Sequence, residues 1–266
     1  MLATLRGPTA DKLSLREKFT LMHAAGFDGV EVMGSMDQKE VLAARDASGL
    51  AVPGVVVAAH WAKPLSDADP AVRAIGLESL RQALRDAKAY GSSTVLLVPG
   101  TVTKDVSYAD AYARSVVEIA KAVPLAESLG VMIAVENVWN RFLLSPLEAA
   151  EYVDSFKSPM VQWYFDAGNV ANTGWPEHWI RTLGPRIVKV HIKEFDRKLR
   201  DEKGPRAGFE VELFKGDMDW PGIMRAFDDV GYHGWLTAEQ FRPAEGYTDA
   251  VWLTHLSQNL DEIIAS

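Results

Sequence analysis

The chain has no cysteine, so disulfides and thiolate metal ligands are excluded, and any metal site must be built from histidine and carboxylates. That absence fits a reducing compartment, and a cytoplasmic protein is expected. No uninterrupted apolar run approaches the roughly 18 residues that a membrane span needs, and residues 1–8 lack a basic region followed by an apolar one. A soluble, untargeted protein with no membrane partner is the expectation. Cations are in deficit: 28 Lys plus Arg face 36 Asp plus Glu, and the net charge of -8 repels a phosphate backbone. Nucleic acid is therefore not an expected partner. A glycine fingerprint for a dinucleotide, a Gly-x-x-x-x-Gly-Lys loop and a serine nucleophile elbow are also missing, which argues against nucleotide cofactors and serine chemistry.

What is present is a long alternation of apolar runs and helical segments. At 266 residues, 48% hydrophobic and 24% charged, the chain supports a large core, and its length matches the roughly 250 residues of a (β/α)8 TIM barrel. One domain over residues 1–266 is expected. Strands are predicted at residues 2–5, the weakest of the set, and at 27–33, 54–59, 94–98, 131–135, 161–165, 187–190 and 235–238. Helices are predicted at 14–25, 38–48, 70–90 and 108–129, with a kink at Pro124, then from 145 onward, at 176–183, at 220–230 and at 248–264. Pro70 and Pro146 sit where a missing N–H costs nothing, and Gly26, Gly49 and Gly130 close helices. The charged stretch 194–217 has no clear period and reads as a loop over the barrel mouth. Strand and helix in regular alternation argue for right-handed βαβ units and a parallel sheet.

Four apolar runs end in a polar group. Val131 to Val135 leads into Glu136-Asn137, Val161 to Phe165 into Asp166, Ile187 to Val190 into His191, and Trp235 to Ala238 into Glu239. Taken alone, each acid could be a helix cap or a surface ion-pair partner. In a parallel barrel all four would reach one rim, where two Glu, one Asp and one His form a ligand set for an oxygen-preferring divalent metal. Mn2+ is the first expectation, with Mg2+, Co2+ or Zn2+ as alternatives. His60 ends another strand and is expected to line the pocket, whereas His23, His178, His233 and His255 lie in helices or a turn. Trp61 and Trp139 offer stacking faces for a sugar ring, although both could be ordinary rim packing. Asn140, Asn169, Lys193 and Arg197 complete the expected substrate contacts, Arg197 being the preferred donor to a hydroxyl or phosphate.

Glu136-Asn137, Asp166-Ala167-Gly168-Asn169, His191-Ile192-Lys193-Glu194 and Glu239 together resemble the sugar phosphate isomerase/epimerase group of xylose isomerase-like TIM barrels. Gly26-Phe27-Asp28-Gly29-Val30-Glu31 and Gly231-Tyr232-His233-Gly234-Trp235 extend the resemblance over essentially the whole chain. It implies a metal held by Glu136, Asp166, His191 and Glu239. It also implies that Glu136 and Glu239 exchange protons with a carbohydrate substrate and that Arg197 contacts the sugar. Two departures stand out: Asn169 replaces a frequent His, and no acid follows Asn140-Arg141. They motivate a β-eliminating lyase on a 3-keto sugar or glycoside as the alternative activity, beside a non-catalytic sugar-binding barrel. The DNA-repair branch of the same scaffold needs several strand-end histidines, which His60 and His191 alone do not supply. A homo-oligomer is compatible with the sequence.

Overall fold

Seven parallel strands carry the fold in the computed structural model, which describes residues 10–240, 242 and 246–266. They are β1 (Val32–Met33), β2 (Gly54–Val56), β3 (Thr94–Leu97), β4 (Met132–Glu136), β5 (Val161–Asp166), β6 (Ile187–Ile192) and β7 (Leu236–Ala238). Each pairs in parallel with the next in sequence, as expected when every crossover is a helix packed on the outside. The predicted strand at residues 2–5 lies outside the described residues. The sheet curls: Glu31, just before β1, reaches His191 of β6 at 3.2 Å across the interior.

The helices are α1 (Leu15–Ala24), α2 (Gln38–Ser48), α3 (Pro70–Tyr90), α4 (Tyr108–Ala120), α5 (Val123–Leu129), α6 (Pro146–Asp154), α7 (Ala167–Ala171), α8 (Pro176–Leu183), α9 (Arg197–Lys203), α10 (Trp220–Asp229) and α11 (Asp249–Ala265), of which the sequence does not predict α7 and α9. Caps explain the boundaries. Ser14 and Glu17 form a reciprocal capping box at α1, and the Asp69 carboxylate receives the Ala71 N–H at α3. Gly91 then ends α3 with φ +79°, a left-handed turn in which nothing crowds the missing Cβ.

Three predictions need correction. The helix over 108–129 is two helices, because Pro124 falls in the first turn of α5 and cannot continue the hydrogen-bonding of α4. The strand over 27–33 shrinks to Val32–Met33, with a single bridge from Gly29 to Ala51, since Asp28 and Gly29 are poor ladder formers. The stretch 194–217 is not structureless: it holds α9 and a 3-10 turn, Ala207–Phe209.

Alternation along the strands sorts side chains into two cores. Ile133, Val135, Trp163, Phe165, Val190 and Ile192 face the helices in the main core, whereas Val56, Leu96, Ala134 and Tyr164 form a small cluster of their own with Met33. By the same period, Glu136, Asp166, His191 and Lys193 continue the inward rows toward the C-terminal strand ends. Register fixes their height, with Asp166 opposite His191 and Glu136 opposite Tyr164.

Candidate active site

His191 is the hub. Its Nδ1 lies 2.8 Å from Glu136 Oε1, 3.3 Å from Glu239 Oε2 and 3.9 Å from Asp166 Oδ2. One ligand atom from each of Glu136, Asp166, His191 and Glu239 falls within 4.8 Å of the others, so four strand ends deliver three carboxylates and an imidazole to one point. Lys193 Nζ bridges Asp166 Oδ2 and Glu239 Oε2 at 2.9 and 2.8 Å. Asp166 Oδ2 is fully buried, with the Lys193 ammonium as its nearest charged partner. That oxygen-rich donor set suits a hard divalent cation.

The strand ends are stitched together by Asn137. Its amide donates to the Asp166 carbonyl and accepts from the Asp166 backbone N–H and the Trp163 indole N–H, while Asn169 donates back to the Asn137 carbonyl at 2.9 Å. Asp166 also caps α7 through the Asn169 N–H at 2.7 Å, so it serves both as a cap and as a member of the cluster. Glu239 is set by its N–H, which extends the ladder to the Ile192 carbonyl at 3.0 Å.

Charge crowding sets the protonation pattern. Burial pushes the Glu136 carboxyl up, the Glu239 and Asp166 charges add to that, and the His191 bond opposes it, leaving it at about 7. Burial likewise raises Asp166 against the pull of Lys193. Burial would raise Glu239 too, but Lys193 and His191 override it and hold it below the ordinary carboxylate range. For His191 burial opposes charge, yet Glu136, Glu239 and Glu31 keep it well above the ordinary imidazole value.

A cavity of about 460 Å³ opens over the cluster, with Glu136, His191, Lys193 and Glu239 in its wall. His60, Trp61, Trp139 and Asn169 line it. His60 is buried, accepts the Val98 N–H at Nδ1 (3.2 Å), and is lowered by burial to about 4, so it stays neutral. Trp61 and Trp139 remain 54% and 43% exposed and offer open faces at the mouth. Two expected contacts stand elsewhere. Asn140 is buried and spends its amide on the Gly100 carbonyl and the Phe142 N–H, holding the loop after β4. Arg197 pairs with Asp217 and lies 4.5 Å over the Trp175 ring, outside the cavity wall.

Arg206 and Phe209 take its place in the wall, brought there by the mouth loop. Phe209 packs on Trp139 at 4.6 Å, and Lys193 Nζ lies 5.5 Å over its ring. Sequence reasoning missed both residues, because nothing in a polar loop says which side chain turns inward. The loop is fastened by buried Glu194, whose carboxylate accepts from the Phe195, Phe214 and Met218 N–H groups and the Trp220 indole.

A sequential parallel β/α sheet with its acids gathered at the C-terminal strand ends defines a TIM barrel that works from its rim. The chain belongs to the xylose isomerase-like TIM barrel family, whose model matches residues 19–256. It is 28% identical over 234 residues to the L-ribulose-5-phosphate 3-epimerase UlaE of Escherichia coli O1:K1 / APEC, covering 82% of this chain and 79% of that one. Among solved structures, D-psicose 3-epimerase superposes with a TM-score of 0.79 at 20% identity, covering 96% of this chain and 95% of the other. The 3-keto-D-glucoside 4-epimerase YcjR of E. coli gives a TM-score of 0.78 at 16% identity, with 95% of both chains covered. Likeness at those identities establishes the shared fold. No helix among the described residues is long and apolar enough to cross a membrane.

Proposed function

We propose that the protein is a metal-dependent isomerase or epimerase of a ketose or ketose phosphate. The observation that carries this reading is the convergence of Glu136, Asp166, Glu239 and His191 beneath a sugar-sized cavity whose wall includes Glu136, His191, Glu239 and two part-exposed indoles. These four residues would hold one divalent cation, Mn2+ by preference. Such a cation, when bound, supplies Lewis-acid stabilisation of negative charge developing on substrate oxygens. Trp61, Trp139 and Phe209 hold the sugar ring and exclude water, and Lys193 offers an ammonium to a substrate oxygen. One of the two glutamates takes the proton from the carbon beside the carbonyl, leaving an enediolate, and the other returns a proton. Return to the opposite face of the same carbon gives the epimer, and return to the neighbouring carbon gives the isomer. The epimerase names of UlaE and D-psicose 3-epimerase favour the first outcome.

β-Elimination from a 3-keto glycoside is the second reading. It starts with the same proton abstraction, and its motivation is the absence of a further acid after Asn140 together with the likeness to a protein acting on a 3-keto glucoside. One experiment tests both. Mn2+-loaded protein is incubated in D2O with ketoses, their phosphates and 3-keto glycosides, and products are read by NMR. Deuterium beside the carbonyl with an epimeric or isomeric product supports the first reading, and an unsaturated sugar supports the second. No exchange into any of them would sink both and leave a sugar-binding barrel.

A further inference from the structure

We infer that Glu31 is a positioning residue, the buried partner that orients His191 so that its Nδ1 faces the carboxylate cluster. The inference rests on reading that cluster as a metal centre. Glu31 belongs to the Gly26 to Glu31 motif and lies outside the four-residue cluster. It is 1% exposed, and its Oε2 sits 3.2 Å from His191 Nε2. The imidazole is thus held between two carboxylates, Glu31 at Nε2 and Glu136 at Nδ1. A ligating histidine whose far nitrogen donates to a carboxylate is fixed in tautomer and ring angle. With the Nε2–H donated to Glu31, the proton that a cation would displace is the one at Nδ1, and its loss opens that lone pair to the rim.

The surroundings are built to keep Glu31 in that pose. The Tyr164 hydroxyl donates to Glu31 Oε1 at 2.5 Å, and the Tyr164 ring stands 4.5 Å from the imidazole. Lys189 Nζ lies 4.0 Å from Oε1 and supplies the opposing charge. At Gly54 a Cβ would fall 2.5 Å from Glu31 Oε1, so the absence of a side chain there is what admits the carboxylate. An apolar residue would fill this floor at lower cost than a buried carboxylate with its lysine. The expensive choice is explained by what it does to the ring above it.

The test compares wild type with Glu31→Gln, which keeps the shape, and Glu31→Ala, which removes the acceptor. Mn2+ affinity is measured by titration calorimetry. Loss of an outer-shell partner typically weakens metal binding about 10- to 100-fold, so Glu31→Ala should fall in that range and Glu31→Gln between it and wild type. In Co2+-loaded protein the His191 Nε2–H gives an exchangeable paramagnetically shifted proton, expected to exchange slowly in wild type, faster in Glu31→Gln and fastest in Glu31→Ala. A purely structural role would not move that proton. If Glu31→Ala does not fold, the proton and affinity of Glu31→Gln decide. Wild type that binds Mn2+, with variants of unchanged affinity and an unmoved Nε2–H proton, overturns this inference alone. Wild type that takes up neither Mn2+ nor Co2+ overturns the metal-centre reading and this inference with it.

Discussion

Glu31 and Glu136 flank one imidazole, both are nearly shut off from water, and they are driven in opposite directions. Burial acts to raise each. At Glu31 the His191, Lys189 and Tyr164 groups overcome it, and the carboxyl falls to about 2. At Glu136 two further carboxylates add to burial, and the carboxyl rises to about 7. The lesson is that depth alone does not fix a buried carboxyl; the sign of its neighbours does. The floor of the barrel is a balanced ion group that holds its shape. The rim crowds three carboxylates around one ammonium and one imidazole, and strongly shifted groups gathered in a cleft are a mark of functional sites.

Removing the shared partner should have the largest effect. His191→Ala takes a donor from the rim and the countercharge from Glu31, so metal content by elemental analysis should drop by more than the roughly 10- to 100-fold cost of losing an outer partner. Equal metal in mutant and wild type removes His191 from the centre. Next come Glu136→Gln and Glu239→Gln, which retain an oxygen but cannot accept a proton. Turnover should fall about 10²- to 10⁴-fold with metal content largely kept. One variant that still washes deuterium into the starting sugar identifies the missing group as the returning acid, and near-normal turnover in Glu239→Gln breaks the two-glutamate mechanism.

His60 sharpens the comparison, because it is a buried imidazole whose Nδ1 accepts a backbone N–H, from Val98, where both His191 nitrogens face carboxylates. Burial lowers it to about 4, where the carboxylates around His191 raise that ring. The unfolded chain binds the His60 proton near its ordinary value, so this contribution to stability is complete above about pH 6.5 and is lost as pH falls toward 4. The loss should be about 3 kcal/mol, read as the difference between wild type and His60→Gln in urea unfolding across that window. Parallel curves for the two proteins would show that burial does not govern His60. The smallest effect is expected at Gly54→Ala, where overpacking against Glu31 should cost about 1–3 kcal/mol at neutral pH. Thermal unfolding unchanged by that methyl group would mean the floor is looser than the geometry indicates.

The rim was legible in the sequence because an apolar run that stops at an acid carries both the strand and the position of its end. Glu136, Asp166, His191 and Glu239 all follow that rule, and the structure brings them together. Glu31 obeys a weaker one. It sits two residues before Met33 and so shares the inward row, but Asp28 and Gly29 blur the strand that would reveal the alternation. The loop was least legible. The α9 sequence Arg197 to Lys203 has one apolar residue, Leu199, so hydrophobic period cannot announce it, and its Asp196 cap looks like any loop aspartate. For the same reason the sequence points to Arg197 and not to the cavity residue Arg206: distance along the chain from His191 is readable, and the direction of a loop side chain is not. Asn140 was misplaced because an amide after a strand suits a substrate and a loop carbonyl equally well.

The four bonds that converge on Glu194 have a consequence for how such a protein diversifies. They tie Phe195 at one end to Phe214, Met218 and Trp220 at the other, so the intervening span is a module clipped to the barrel at its base. Replacements between the clips can redraw the cavity roof, Arg206 and Phe209 included, while the carboxylates beneath stay in register. That part of the cavity wall and the carboxylate cluster are therefore carried on separate stretches of chain, so one can vary while the other is kept.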